Sequence, residues 1–77
     1  MSADMVAATS KVTGQIKQLC DRYGFIKGND GNEYFFLPRS VEPKGISWSV
    51  LSEGSRVSFA PYEDQRGLRA DQVCILV

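Results

Sequence analysis

The side chains in this sequence best suited to chemistry are flat rings. Two short runs, Tyr23-Gly24-Phe25-Ile26 and Glu33-Tyr34-Phe35-Phe36, concentrate them. Exposed rings accept the π-faces of unpaired bases, and neighbouring cations accept phosphates. Lys17, Lys27, Arg22 and Arg66 are the cations that can serve such rings, although each reads equally well as a solvated surface charge. Arg69 is a weaker candidate, because Asp71 has the same parity on a strand and can neutralise it. Catalysis has little to stand on: there is no histidine, no cysteine–base pair, and the acids are scattered through turns. No catalytic residue is assigned. Cys20 and Cys74 lack the close spacing of metal ligands, so neither a metal nor a cofactor is expected. Both read as small apolar fillers near strand ends.

Charge argues against an electrostatic binder. Nine lysines and arginines balance nine acids, whereas nucleic-acid domains often carry a basic excess. A neutral total predicts weak non-specific attraction to phosphate, so any binding must lean on contacts other than charge.

The elements that must position the rings are short strands. The 77 residues suffice for one domain, which at this size buries only about 60% of the surface of its unfolded chain. Residues 1–10 read as a flexible N-terminal tail and 11–77 as the folded domain. The opening Met1-Ser2-Ala3-Asp4 lacks a signal peptide's apolar stretch, and no apolar run approaches the ~20 residues of a membrane span. The chain therefore reads as cytoplasmic, with reduced thiols and no membrane partner. Strands are expected over about Val12–Leu19, Tyr23–Lys27, Glu33–Leu37, Arg56–Tyr62 and Arg69–Leu76. Gly28-Asn29-Asp30-Gly31-Asn32 closes a hairpin between the second and third. Pro38 stops the third, and Pro43 and Gly45 break the long connection to Gly54. Glu63 to Gly67 reads as a charged loop. Five short strands with one long crossover outline an all-β, five-stranded antiparallel barrel of the OB type.

Period-2 alternation sorts the hairpin into two faces. Gly24 and Ile26 share one face with Tyr34 and Phe36; Tyr23, Phe25 and Lys27 share the other with Glu33, Phe35 and Leu37. The charges of Lys27 and Glu33 suggest that the second face meets water. Alternation alone leaves the choice open between this assignment and its inverse, with the rings as core.

The ordered motifs resemble the cold-shock domain family. Tyr23-Gly24-Phe25-Ile26 is similar to its first nucleic-acid-binding motif, Phe-Gly-Phe-Ile, and Glu33-Tyr34-Phe35-Phe36 to the start of its second, Asp-Val-Phe-Val. Thr13-Gly14-Gln15-Ile16-Lys17 resembles its opening Gly-x-Val-Lys. Leu51-Ser52-Glu53-Gly54, Val57-Ser58-Phe59 and Gly67 through Val73 resemble its later segments. The resemblance implies a cold-shock-type barrel with Tyr23, Phe25 and Phe35 outward as base-stacking rings. It adds Trp48 as a further stacking ring and Lys17 and Arg66 as phosphate contacts. Departures are equally clear: the family's strand-one tryptophan falls on Gln18, and a histidine and phenylalanine of the second motif fall on Leu37 and Pro38.

The function so implied is binding of single-stranded RNA or DNA, of low sequence specificity and pyrimidine-rich preference, by a monomer acting as an RNA chaperone or regulator. Losing two or three stacking partners removes on the order of 3–6 kcal/mol, so binding weaker than typical for the family is expected. The alternative is a cold-shock-like scaffold reused for a protein partner on the same face, which the neutral charge and the apolar Leu37 and Pro38 favour.

Overall fold

The computed structural model describes residues 11–42 and 47–76; the expected tail over 1–10, and Pro43 and Gly45 in the crossover, lie outside the described residues. The strands are β1 (Val12–Leu19), β2 (Gly24–Gly28), β3 (Glu33–Phe36), β4 (Val41–Glu42), β5 (Arg56–Asp64) and β6 (Gly67–Ile75). In sheet order β3-β2-β1-β5-β6, five of them form a barrel, closed by a parallel bridge between Phe35 on β3 and Arg69 on β6. The two-residue β4 is an addition to the expected five, pairing parallel with β6 through Val41–Val73 and Glu42–Cys74. Single 3₁₀ turns at Pro38–Ser40 and Trp48–Val50 lie in the crossover.

Alternation places Ile16, Ile26, Tyr34, Phe36, Val57 and Phe59 inward, where they are buried with Val41, Leu51, Ala70 and Val73. Ile26, Tyr34 and Phe36 thus occupy the core face assigned to them from the sequence. Two irregularities keep the alternation working around a barrel this tight. Between Ile16 and Gln18, β1 slips by one residue against β2, so Lys17 and Gln18 both stay exposed while Leu19 turns back toward the core. In β6 the register breaks opposite Phe59, where Gln72 adopts a left-handed φ of 50°. The Leu-x-Glu-Gly segment supports the far half of β1: Glu53 Oε2 accepts the Leu19 amide at 3.0 Å, and Gly54 N donates to Ile16 O at 2.7 Å.

The β5–β6 hairpin differs from expectation. Glu63 to Gly67 is not a loop, because Glu63 pairs with Leu68 and Asp64 with Gly67, leaving Gln65-Arg66 as a two-residue turn. Gly67, at φ 121°, takes the left-handed conformation that lets the chain turn so tightly. β5 pairs with β1 from Arg56 as far as Phe59, so from Ala60 onward the hairpin runs as an arm with one edge unpaired among the described residues. Pro61, which lacks an amide donor, sits in that arm.

Gly24 shows how closely packing governs the site-bearing strand. A Cβ there would lie 2.7 Å from the Phe36 ring and 2.9 Å from the Gln18 carbonyl oxygen. Gly24→Ala should therefore destabilise the barrel by about 1–3 kcal/mol in urea unfolding, since either the buried ring or the β1 backbone must move. A variant as stable as the parent would show that this contact is looser than described.

Candidate nucleic-acid interface

The outer face of β2 and β3 is built by register. Phe25 stands opposite Phe35, Lys27 opposite Glu33 and Ile26 opposite Tyr34. The pairing that buries Tyr34 thus turns Phe25 and Phe35 outward together. Tyr23, at the entry to β2, completes the cluster. Its ring stacks on Phe35 at 5.6 Å and 27° and meets Phe25 edge-on at 5.9 Å, while Phe25 and Phe35 meet at 5.7 Å and 67°. Tyr23 is 39% exposed, but Phe25 and Phe35 are half-buried, because the three rings cover part of one another. Gln18 is the β1 partner of Phe25, so it borders the cluster on the β1 side. Leu37, expected on this face, is half-buried just past the end of β3.

Beside the rings runs a groove of about 510 Å³ lined by Phe25, Glu33, Phe35, Arg66, Leu68 and Arg69. Arg69 is the residue that sequence reasoning undervalued. It is 9% exposed, its guanidinium carbon lies 4.5 Å from the Phe35 ring centroid, and its Nη1 donates to Asp64 Oδ2 at 3.1 Å. Asp64, not Asp71, is its partner. Asp64 faces Gly67 across the hairpin and so reaches Arg69 diagonally, a relation hidden while this segment was read as a loop. A guanidinium held over a ring is attracted by the ring's quadrupole, so Arg69 fixes Phe35 from behind.

The other expected residues divide. Arg66 is exposed at the hairpin tip and lines the groove. Lys17 reaches the cluster's flank but forms an ion pair with Glu33. Lys27 is exposed across from that same carboxylate, and Arg22 is exposed in the β1–β2 turn. Trp48, expected as a stacking ring, packs at the end of the barrel. It is half-buried against the core, its ring 5.4 Å from Phe36 and its Nε1 donating to Cys20 O at 2.8 Å. A ring that packs on Phe36 and ties the crossover to the β1–β2 turn is a closure for the barrel end. Cys20 and Cys74 are half-buried and free. Among the described residues no group of three metal-ligating side chains comes together.

Local electrostatics follow from these contacts. The Lys17 ammonium, by hydrogen bond and then by charge, holds the Glu33 carboxyl below its ordinary range, with Lys27 adding a smaller pull. In the β2–β3 turn the Tyr34 hydroxyl donates to Asp30 Oδ2 at 2.5 Å, lowering the Asp30 carboxyl and raising the Tyr34 phenol. The Cys20 thiol beside it raises the Tyr23 phenol, as hydrogen-bond partner first and by charge second, with burial of the ring adding a smaller push. Both carboxyls are depressed on folding, so their contributions to stability are present above the ordinary carboxylate range and are lost as pH falls through the lowered values. In Lys17→Gln, the Glu33 titration followed by NMR should move up toward the ordinary carboxylate value. An unchanged titration would mean that Lys17 does not hold Glu33 in solution.

Comparison with known proteins bears on the same span. Residues 12–76 match the 'Cold-shock' DNA-binding domain. The major cold shock protein CspA of Pseudomonas aeruginosa is 34% identical over 70 residues, covering 88% of this chain and 99% of the relative. Cold shock protein CspV of Vibrio cholerae is 32% identical over 71 residues, with the same coverage. Among solved structures, drosophila Unr CSD456 is similar in fold, with a TM-score of 0.75 at 18% identity over 97% of this chain and 30% of that one. The ring-bearing barrel described above therefore belongs to the cold-shock domain family, whose members bind nucleic acid and are not enzymes.

Proposed function

We propose that this domain binds short single-stranded stretches of RNA or DNA on the β2–β3 face, with Tyr23, Phe25 and Phe35 stacking bases and Arg66 contacting phosphate. The observation that carries this reading is the partly exposed ring cluster beside an open groove that Arg66 and Arg69 also line. Rings read no base edge, which supports low sequence specificity. The cations support modest affinity: Lys17 is committed to Glu33 and Arg69 to Asp64, so few charges remain for phosphate. Trp48 contributes by holding the β1–β2 turn beneath Tyr23. Gln18, beside Phe25 and standing where the family has tryptophan, marks a stacking position that this chain has lost.

Phe25→Ala and Phe35→Ala should each weaken binding of an oligo-dT heptamer about tenfold or more, from stacking worth about 1–3 kcal/mol per base. Because both rings are half-buried, circular dichroism and thermal unfolding must show that the variants remain folded at the titration temperature. Folded variants that bind normally would remove this face from the interaction.

With two or three phosphate contacts, log affinity should fall by only about 1.5–2 per log unit of salt. A slope steeper than about −4 would mean that phosphates rather than rings carry the binding. Gln18→Trp should restore one ring opposite Phe25 and tighten heptamer binding roughly five- to a hundredfold. A folded variant with no gain would count against a stacking surface here.

A further inference from the structure

We propose that the projecting β5–β6 arm carries a second nucleotide site, in which Tyr62 stacks a base and Arg66 holds the adjoining phosphate. This inference rests on the single-strand-binding reading and extends it past the β2–β3 face. A second groove of about 480 Å³, within the range of small-ligand sites, is lined by Arg39, Tyr62, Asp64, Gln65, Arg66 and Arg69. It shares Arg66 and Arg69 with the groove beside Phe35, so the two form a path on either side of these arginines.

The second groove repeats the chemistry of the first. Tyr62 is 46% exposed, although it belongs to a paired strand and lies opposite Arg69. β5 has left β1 by this point, so among the described residues no strand covers that edge of the arm. Three arginines face one carboxylate in this groove, and that carboxylate is occupied. Asp64 Oδ1 accepts the Arg66 amide at 2.8 Å, and its Oδ2 accepts Arg69 Nη1 at 3.1 Å. The acid therefore braces the turn and Arg69, and Arg66 is an exposed guanidinium of this groove that can meet a phosphodiester. Arg66 takes part in neither the Lys17–Glu33 nor the Arg69–Asp64 ion pair, and it stands where the two grooves meet. An exposed ring flanked by guanidiniums and continuous with a stacking face fits an unpaired nucleotide of the same strand.

The test compares wild-type protein and Tyr62→Ala in titrations with oligo-dT of seven and ten nucleotides. Extra registers on the longer strand raise apparent affinity equally for both proteins, so the difference between them isolates Tyr62. The wild type should gain about tenfold or more on lengthening beyond that shared effect. Tyr62→Ala should bind the heptamer like the wild type and lose most of that gain. The ring resonances of Tyr62 in the wild-type protein should shift with the decamer and stay in place with the heptamer. Heptamer binding with an identical length dependence in both proteins, or a Tyr62 ring unmoved by the decamer, would overturn the second site while leaving the first intact. Binding of neither strand by the wild type would overturn both.

Discussion

The pairing of β2 with β3 is the constraint on which the rest of this structure depends. Because side chains alternate across a strand, the register that sets Ile26 against Tyr34 also sets Phe25 against Phe35. A slip of β3 by one residue would carry Tyr34 and Phe36 to the surface and turn Phe35 inward, separating it from Phe25. The turn guards against that slip. Asp30 Oδ1 accepts the Asn32 amide at 3.0 Å and its Oδ2 accepts the Tyr34 hydroxyl, while the Asn29 amide donates to Thr13 O at 2.9 Å. Core and surface rings are thus specified by the same few contacts.

Closure of the barrel couples that hairpin to the opposite edge of the sheet. The bridge from Phe35 to Arg69 joins β3 to β6 and brings a guanidinium over the Phe35 ring. Asp64 holds the guanidinium from the β5 side, so a surface ring is supported by an ion pair shielded on the arginine side, with the Arg69 side chain 11% and the Asp64 side chain 38% exposed. Contacts of this kind lose less to solvent screening than exposed pairs. The same arrangement lets a chain of zero net charge present a cation beside the rings: Glu33 is paired with Lys17 and Asp64 with Arg69, and Arg66 is left at the rim.

Much of this was legible in the sequence. The alternation of Tyr23, Phe25 and Lys27 with Gly24 and Ile26, and the Gly-Asn-Asp-Gly-Asn turn, were enough to place the hairpin and propose its faces. The ordered resemblance to cold-shock domains chose between the two assignments. What stayed hidden depended on register at a distance. Arg69 looked compromised by Asp71 because strand parity relates neighbours along a chain, whereas its partner Asp64 lies across a two-residue turn. That turn was masked by its composition, since Glu63, Asp64, Gln65 and Arg66 read as solvated loop; the sharper signal was Gly67, the residue able to follow so tight a turn. The packing of Trp48 was hidden for a similar reason. Its loop offers no local core, and Phe36 and the Cys20 carbonyl become its neighbours only after the barrel closes.

The central claim, that unpaired bases stack on the β2–β3 rings, is tested most directly by amide NMR during titration with an oligo-dT heptamer. The account predicts that the largest shift changes fall on residues 23–27 and 33–36 and at Arg66 and Arg69. It also predicts intermolecular contacts between thymine methyls and the rings of Phe25 and Phe35. Changes confined to other strands, with the hairpin amides and ring protons unmoved at saturation, would contradict it.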